Sequence, residues 1–115
     1  MDSILQRLTE LDEIINAILI GKDGLIVAGA LQSEDDEVLG AMSAAVLGSI
    51  AEFTSSTNRG SMRHAIIETD KGTIQFGEVG DMVLVVITNI TGNIGRVRTE
   101  IKKACQQLGE LVAAY

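Results

Sequence analysis

The chain holds 115 residues, 46% of them hydrophobic and 22% charged, which is one domain of ordinary globular composition, spanning 1–115, rather than a disordered segment. Sixteen acidic residues against nine basic ones leave a net charge of −7, and with two Phe, one Tyr and no Trp this works against nucleic acid or an anionic lipid surface as the main partner. One cysteine, Cys105, excludes an internal disulfide and a Cys-rich metal site and fits a reducing, cytoplasmic setting.

The start, Met1-Asp2-Ser3, has no basic leader, and the strongest apolar run, Met82–Ile87, falls far short of the ~20 residues that span a bilayer, so no membrane insertion is expected. From Asp2-Ser3, whose side chains can accept bonds from free N–H groups, Ile4, Leu5, Leu8 and Leu11 recur at helical spacing. Two β-branched runs follow, Ile14–Ile20 and Leu25–Ala30, separated by Gly21-Lys22-Asp23-Gly24, which suits a hairpin turn. Ser33, three residues before Asp36 and among Glu34, Asp35 and Glu37, caps a long helix expected from about Glu34 to Ser56.

That helix carries two kinds of surface. Leu39, Met42, Val46, Ile50 and Phe53 form a stripe expected to face the sheet, whereas Gly40, Ala44 and Gly48, with Ala41, Ala45 and Ser49, form rows of small residues on which a second backbone can approach closely. Thr57-Asn58-Arg59-Gly60-Ser61 punctuates the chain, and three strands follow: Arg63–Thr69, Thr73–Val79 and Met82–Thr88, the last unbroken in its apolar character and so expected at the centre of the sheet. A closing helix holds Ile94, Val97, Ile101, Ala104, Leu108 and Leu111 on one side. The order is α-β-β-α-β-β-β-α, an α/β fold of α+β type with a five-stranded antiparallel sheet.

Candidates for chemistry are few. His64 is the only histidine, and no serine lies in a G-x-S-x-G setting. The acidic run Glu34–Glu37 lacks the alternating ligands and central glycine of a calcium loop, so helix capping explains it. Gly92-Asn93-Ile94-Gly95-Arg96 opens a helix without the Gly-Lys-Ser/Thr ending of a phosphate loop, and Cys105 sits beside an apolar stripe as a small hydrophobe. No catalytic residue, cofactor-binding residue or metal ligand is expected. The interaction signal is stronger: a helix apolar on much of its circumference needs a second partner, and His64-Ala65-Ile66-Ile67 has no proline or lysine to blunt it should it lie at a sheet edge.

With that order in place, the chain resembles the Roadblock (dynein light chain) family. The resemblance rests on Leu19–Ala28, the alanine- and glycine-rich long helix, Glu68-Thr69-Asp70-Lys71-Gly72, Val83–Ile87 and Asn93–Arg98. The closing helix makes it similar to the stand-alone bacterial and archaeal members. The resemblance implies a profilin-like/Roadblock architecture, a homodimer joined through the long helix and the third strand, and a regulatory or scaffolding partnership with a small Ras-like GTPase. In the gliding-motility branch such a dimer accelerates GTP hydrolysis by remodelling the GTPase without inserting an arginine of its own. The self-contact is expected at Ala41, Ala44, Ala45, Gly48 and Ser55, with Arg63, Ala65 and Ile67 pairing strands. A different class of function, a small-molecule-sensing or general protein-interaction module, would use a pocket between sheet and helix.

Overall fold

Strand alternation, which sends successive side chains to opposite faces, makes this sheet apolar on both sides and so requires helices on both. The computed structural model describes residues 1–29, 36–89 and 94–113, arranged as α1 (Asp2–Thr9), β1 (Ile14–Gly21), β2 (Ile26–Gly29), α2 (Asp36–Ser56), β3 (His64–Thr69), β4 (Gly72–Val79), β5 (Met82–Thr88) and α3 (Ile94–Ala113). All strand pairs are antiparallel, and the five strands run in the order β2-β1-β5-β4-β3. The unbroken apolar strand β5 is central, as its composition predicts.

One face of the sheet, built from Ala17, Leu19, Val79, Leu84 and Val86, packs under Ile4, Leu5 and Leu8 of α1 and Val97, Ile101, Ala104 and Leu108 of α3. Ile94 and Leu111, the ends of the expected α3 stripe, stand exposed. The other face presents Ile18, Ile20, Phe76, Val83 and Val85 to Leu47 of α2, with Leu39, Met62, Ala65 and Ile74 half-buried around them.

Helix termini differ from expectation in one respect. Neither Asp2 nor Ser3 caps α1: the helix begins at Met1, whose carbonyl oxygen accepts from the amides of Ile4 at 3.1 Å and Leu5 at 3.3 Å. Asp2 is already inside the first turn, where its charge complements the free N–H groups. The capping expected of Ser33, Glu34 and Asp35, and the loop at Gly92-Asn93, lie outside the described residues. At its other end α2 closes on Asn58, whose φ of 57° is left-handed. There Arg59 N donates to Thr54 O at 2.8 Å, the six-to-one bond of a Schellman stop.

The β1–β2 hairpin holds α2 in place through two glycines. Gly24 turns the chain at φ 90°, its amide donating to Gly21 O at 2.9 Å, and its carbonyl oxygen lies where a side chain on Gly40 would stand. A β-carbon on Gly24 would in turn come within 3.0 Å of Ala44 Cβ. Backbone thus approaches backbone, a geometry open only to glycine.

Candidate functional site

The buried residues of α2 are Asp36, Gly40, Ser43 and Leu47, a narrow line at helical spacing. Three of these four are small or polar, so the helix sits low over the hairpin turn and its bulky residues project outward. This corrects the expected orientation of the stripe: Leu39 and Ile50 are half-buried toward the sheet, but Met42, Val46 and Phe53 face away, 64%, 37% and 71% exposed. Val38, which the sequence reading overlooked, joins them at 58%. Among the residues expected at a self-contact, Ala41, Ala45, Gly48 and Ser55 are exposed, while Ala44 is half-buried against Gly24. The outward side of α2 is therefore a band of small residues flanked by large apolar ones. A β-carbon on Gly48 would meet nothing within 4 Å.

By length and composition α2 is also apolar enough to cross a membrane, which the run Met82–Ile87 did not foretell. Its inner side, however, is fixed to its own sheet: Asn16 Nδ2 on β1 donates to Asp36 Oδ1 at 3.1 Å, and Gly40 abuts Gly24.

Beside α2 lies a sheet edge left unpaired among the described residues. β3 pairs with β4 over His64–Thr69 without a bulge. Glu78 N donates to Arg63 O at 2.9 Å, which fixes the phase of the ladder. Arg63, Ala65, Ile67 and Thr69 turn their backbone groups toward β4, and the alternation of an antiparallel ladder leaves those of His64, Ile66 and Glu68 pointing outward. The side chains divide in the same rhythm: Ala65 packs into the α2 side of the sheet, and Ile67, 39% exposed, follows it. Arg63 is exposed. The opposite edge is built differently. β2 has four residues, and its register slips between Leu19 and Ile20, so that Ile26 pairs with Ile20, Ala28 with Leu19, and Val27 is left over as a bulge. A short, bulged strand is a poor template for another strand, whereas β3 is regular.

The residues weighed for catalysis stand on the α3 side. His64 Nε2 lies 3.1 Å from Gln75 Oε1, while Gln75 Nε2 donates to Thr73 Oγ1 at 3.3 Å and Thr73 Oγ1 lies 2.6 Å from Thr88 Oγ1. The ring thus ends a chain of polar groups whose other members are buried. Burial lowers the His64 pKa against the opposing bond to Gln75, and Arg98 and Lys102 of α3 push it the same way as burial. Cys105 Sγ fills the space over Gly77, where a β-carbon would stand 2.5 Å from the sulfur, and burial together with Glu78 pushes the thiol up to about 11. A half-buried thiol held in its protonated form is not primed for nucleophilic chemistry. Among the described residues no group of three or more His, Cys, Asp or Glu comes together as a metal site.

A cleft of about 650 Å³ opens between the C-terminal half of α2 and the sheet, lined by Leu47, Ile50, Thr54, Met62, Met82 and Val83 among others, with Lys22 and Glu78 at its polar margin. Its size is that of a small-ligand pocket.

Known proteins share this architecture. An uncharacterised protein of Methanocaldococcus jannaschii is 30% identical over 109 residues, 94% of this chain and 96% of the relative. MglB of Myxococcus xanthus superposes with a TM-score of 0.93 at 24% identity, covering 99% of this chain and 95% of that one. An MglB described as having a tetrameric arrangement gives 0.84 at 16% identity over 94% and 84% of the two chains. A profilin of Acanthamoeba castellanii, 14% identical, gives 0.65 over 96% and 94%. Residues 1–88 match the Roadblock/LC7 domain, and the chain belongs to that family.

Proposed function

We propose that the chain is a non-catalytic, cytoplasmic homodimer that serves as a regulator or scaffold for a small Ras-like GTPase. The observation that carries this reading is the outward side of α2, where Val38, Met42, Val46 and Phe53 surround Ala41, Ala45 and Gly48 on the side of the sheet to which Ala65 and Ile67 of the free edge β3 point. An exposed apolar band beside an unblunted strand is a surface for another protein, and a second copy satisfies both parts across one twofold axis. Two five-stranded sheets then join into one, with the α2 helices stacked over the seam. The likeness to MglB, including one described as tetrameric, supports self-association and a regulatory role.

Sedimentation equilibrium tests the dimer, and pull-down of small GTPases loaded with GDP or a GTP analogue tests the partner. A protomer that stays single at high concentration would end the first half of the reading. Failure of every GTPase to bind a proven dimer would end the second.

The cleft between α2 and the sheet favours a second reading, a small-molecule sensor. Thermal-shift screening against metabolites separates the two, because a ligand that binds there in the folded state stabilises the protein by an amount that grows with the logarithm of its concentration above the dissociation constant.

A further inference from the structure

The phase of β3 restricts how two copies can meet. His64, Ile66 and Glu68 have the outward backbone groups, and in a twofold antiparallel pairing outward residues must meet outward residues, so the axis passes through a single residue. Three positions leave substantial overlap within His64–Thr69: Ala65, Ile66 and Ile67. An axis through Ala65 sets Arg63 against Ile67 and His64 against Ile66, and leaves Glu68 beyond the facing strand. An axis through Ile67 sets Ile66 against Glu68 and His64 against Asp70. An axis through Ile66 sets Ile66 against itself, Ala65 against Ile67, and His64 against Glu68.

The charges around His64 disfavour the Ala65 axis, which brings them no acid, and the Ile67 axis offers only Asp70, which lies in the turn past the end of β3 and leaves Glu68 against Ile66. Its side chain lies on the α3 side of the sheet, as does that of Glu68, which borders a small hollow shared with Thr73, Gln75 and Val97. Arg98 and Lys102, four residues apart on α3 and both exposed, lie close enough to His64 to act on its ring. Gln75 bonds the imidazole, and Cys105 and Ile101 of α3 share with it the space over Gly77. In a chain of net charge −7, two cations beside the free edge form a local exception, and no acid of the same protomer forms an ion pair with either among the described residues.

We infer that two copies pair through β3 with the twofold axis at Ile66, which brings Glu68 of each copy opposite His64 of the other, on the side of the sheet where Arg98 and Lys102 stand. The inference rests on the self-pairing proposed above and adds what specifies its register. Ala65 meets Ile67 on the α2 side, and an acid meets a basic cluster on the α3 side, twice. The acid of each cluster thus comes from the second copy.

A cysteine scan reads the register directly. Ala65→Cys, Ile66→Cys and Ile67→Cys are made one at a time on a Cys105→Ala background and exposed to a mild oxidant at a concentration where the parent is dimeric. Only a residue on the axis faces its own copy, and a hydrogen-bonded antiparallel pair has a Cα separation of about 5.5 Å, inside the disulfide range. Ile66→Cys is expected to convert to covalent dimer, with the flanking variants left largely reduced. In parallel, Glu68→Lys weakens the dimer roughly tenfold, as like charges come together at two symmetric sites. Arg98→Glu added to it restores affinity. Linkage at position 65 or 67 instead overturns the register, and linkage at none, from a proven dimer, overturns pairing through β3. A parent that never dimerises overturns the self-pairing itself.

Discussion

Truncating Phe53 to alanine removes a ring that stands 71% exposed on the outward side of α2. Full burial of a large apolar side chain is worth about 1.5–3 kcal/mol, so covering the exposed part of this one contributes about 1–2 kcal/mol. A twofold axis uses each residue twice, and the dimer should therefore lose about 2–4 kcal/mol. That corresponds to a dissociation constant raised roughly thirty- to several-hundred-fold. The isolated protomer should scarcely notice, since the ring makes little of the core. Sedimentation equilibrium across a wide concentration range measures the change, with circular dichroism confirming the fold. An unchanged dissociation constant would show that the outward side of α2 is not what a second copy covers, and the proposed assembly would fail with it.

Other substitutions examine the same surface and its support. Gly48→Glu and Ala45→Glu place a carboxylate in the close contact, and because both positions are exposed the result should be a folded single protomer, seen as a halved mass in light scattering. Gly40→Ala should lower stability by about 1–3 kcal/mol despite the better helix propensity of alanine, because its methyl group would collide with Gly24 O; urea denaturation reads the loss. His64 titrates below its ordinary value of about 6.5 in the single protomer. The unfolded chain therefore takes up the proton more readily, so stability should be flat above that value, fall as pH drops through it, and level off below the lowered folded pKa. In the monomeric Gly48→Glu variant, His64→Gln should remove this component of the pH dependence. NMR titration of the lone histidine should show its pKa rising in the dimer, where Glu68 of the other copy approaches.

Most of the fold was legible because alternation and helical spacing are local signals. The hairpin at Lys22-Asp23-Gly24, the central place of β5 and the buried side of α3 all followed from such patterns. The orientation of α2 did not. A helix apolar on nearly every side gives no preference for which side turns inward, and the choice fell to closeness of approach: Gly40 and Ser43 let the helix lie low, and Met42, Val46 and Phe53 had nowhere to go but out. That β3 carries nothing to blunt an edge could be read from its missing proline and lysine. Which of its backbone groups remain free could not, because that depends on its register with β4, a relation between distant parts of the chain.

The inequality of the two sheet edges has a consequence for how far assembly can run. Were β2 as regular as β3, each copy would offer two sticky margins, and sheets could be added end to end without limit, as in amyloid-like fibrils. The bulge at Val27 blunts one margin, so that growth would terminate once the other is used in the proposed pairing. In the proposed dimer, a protein with so much grease on one helix would thereby remain a discrete particle.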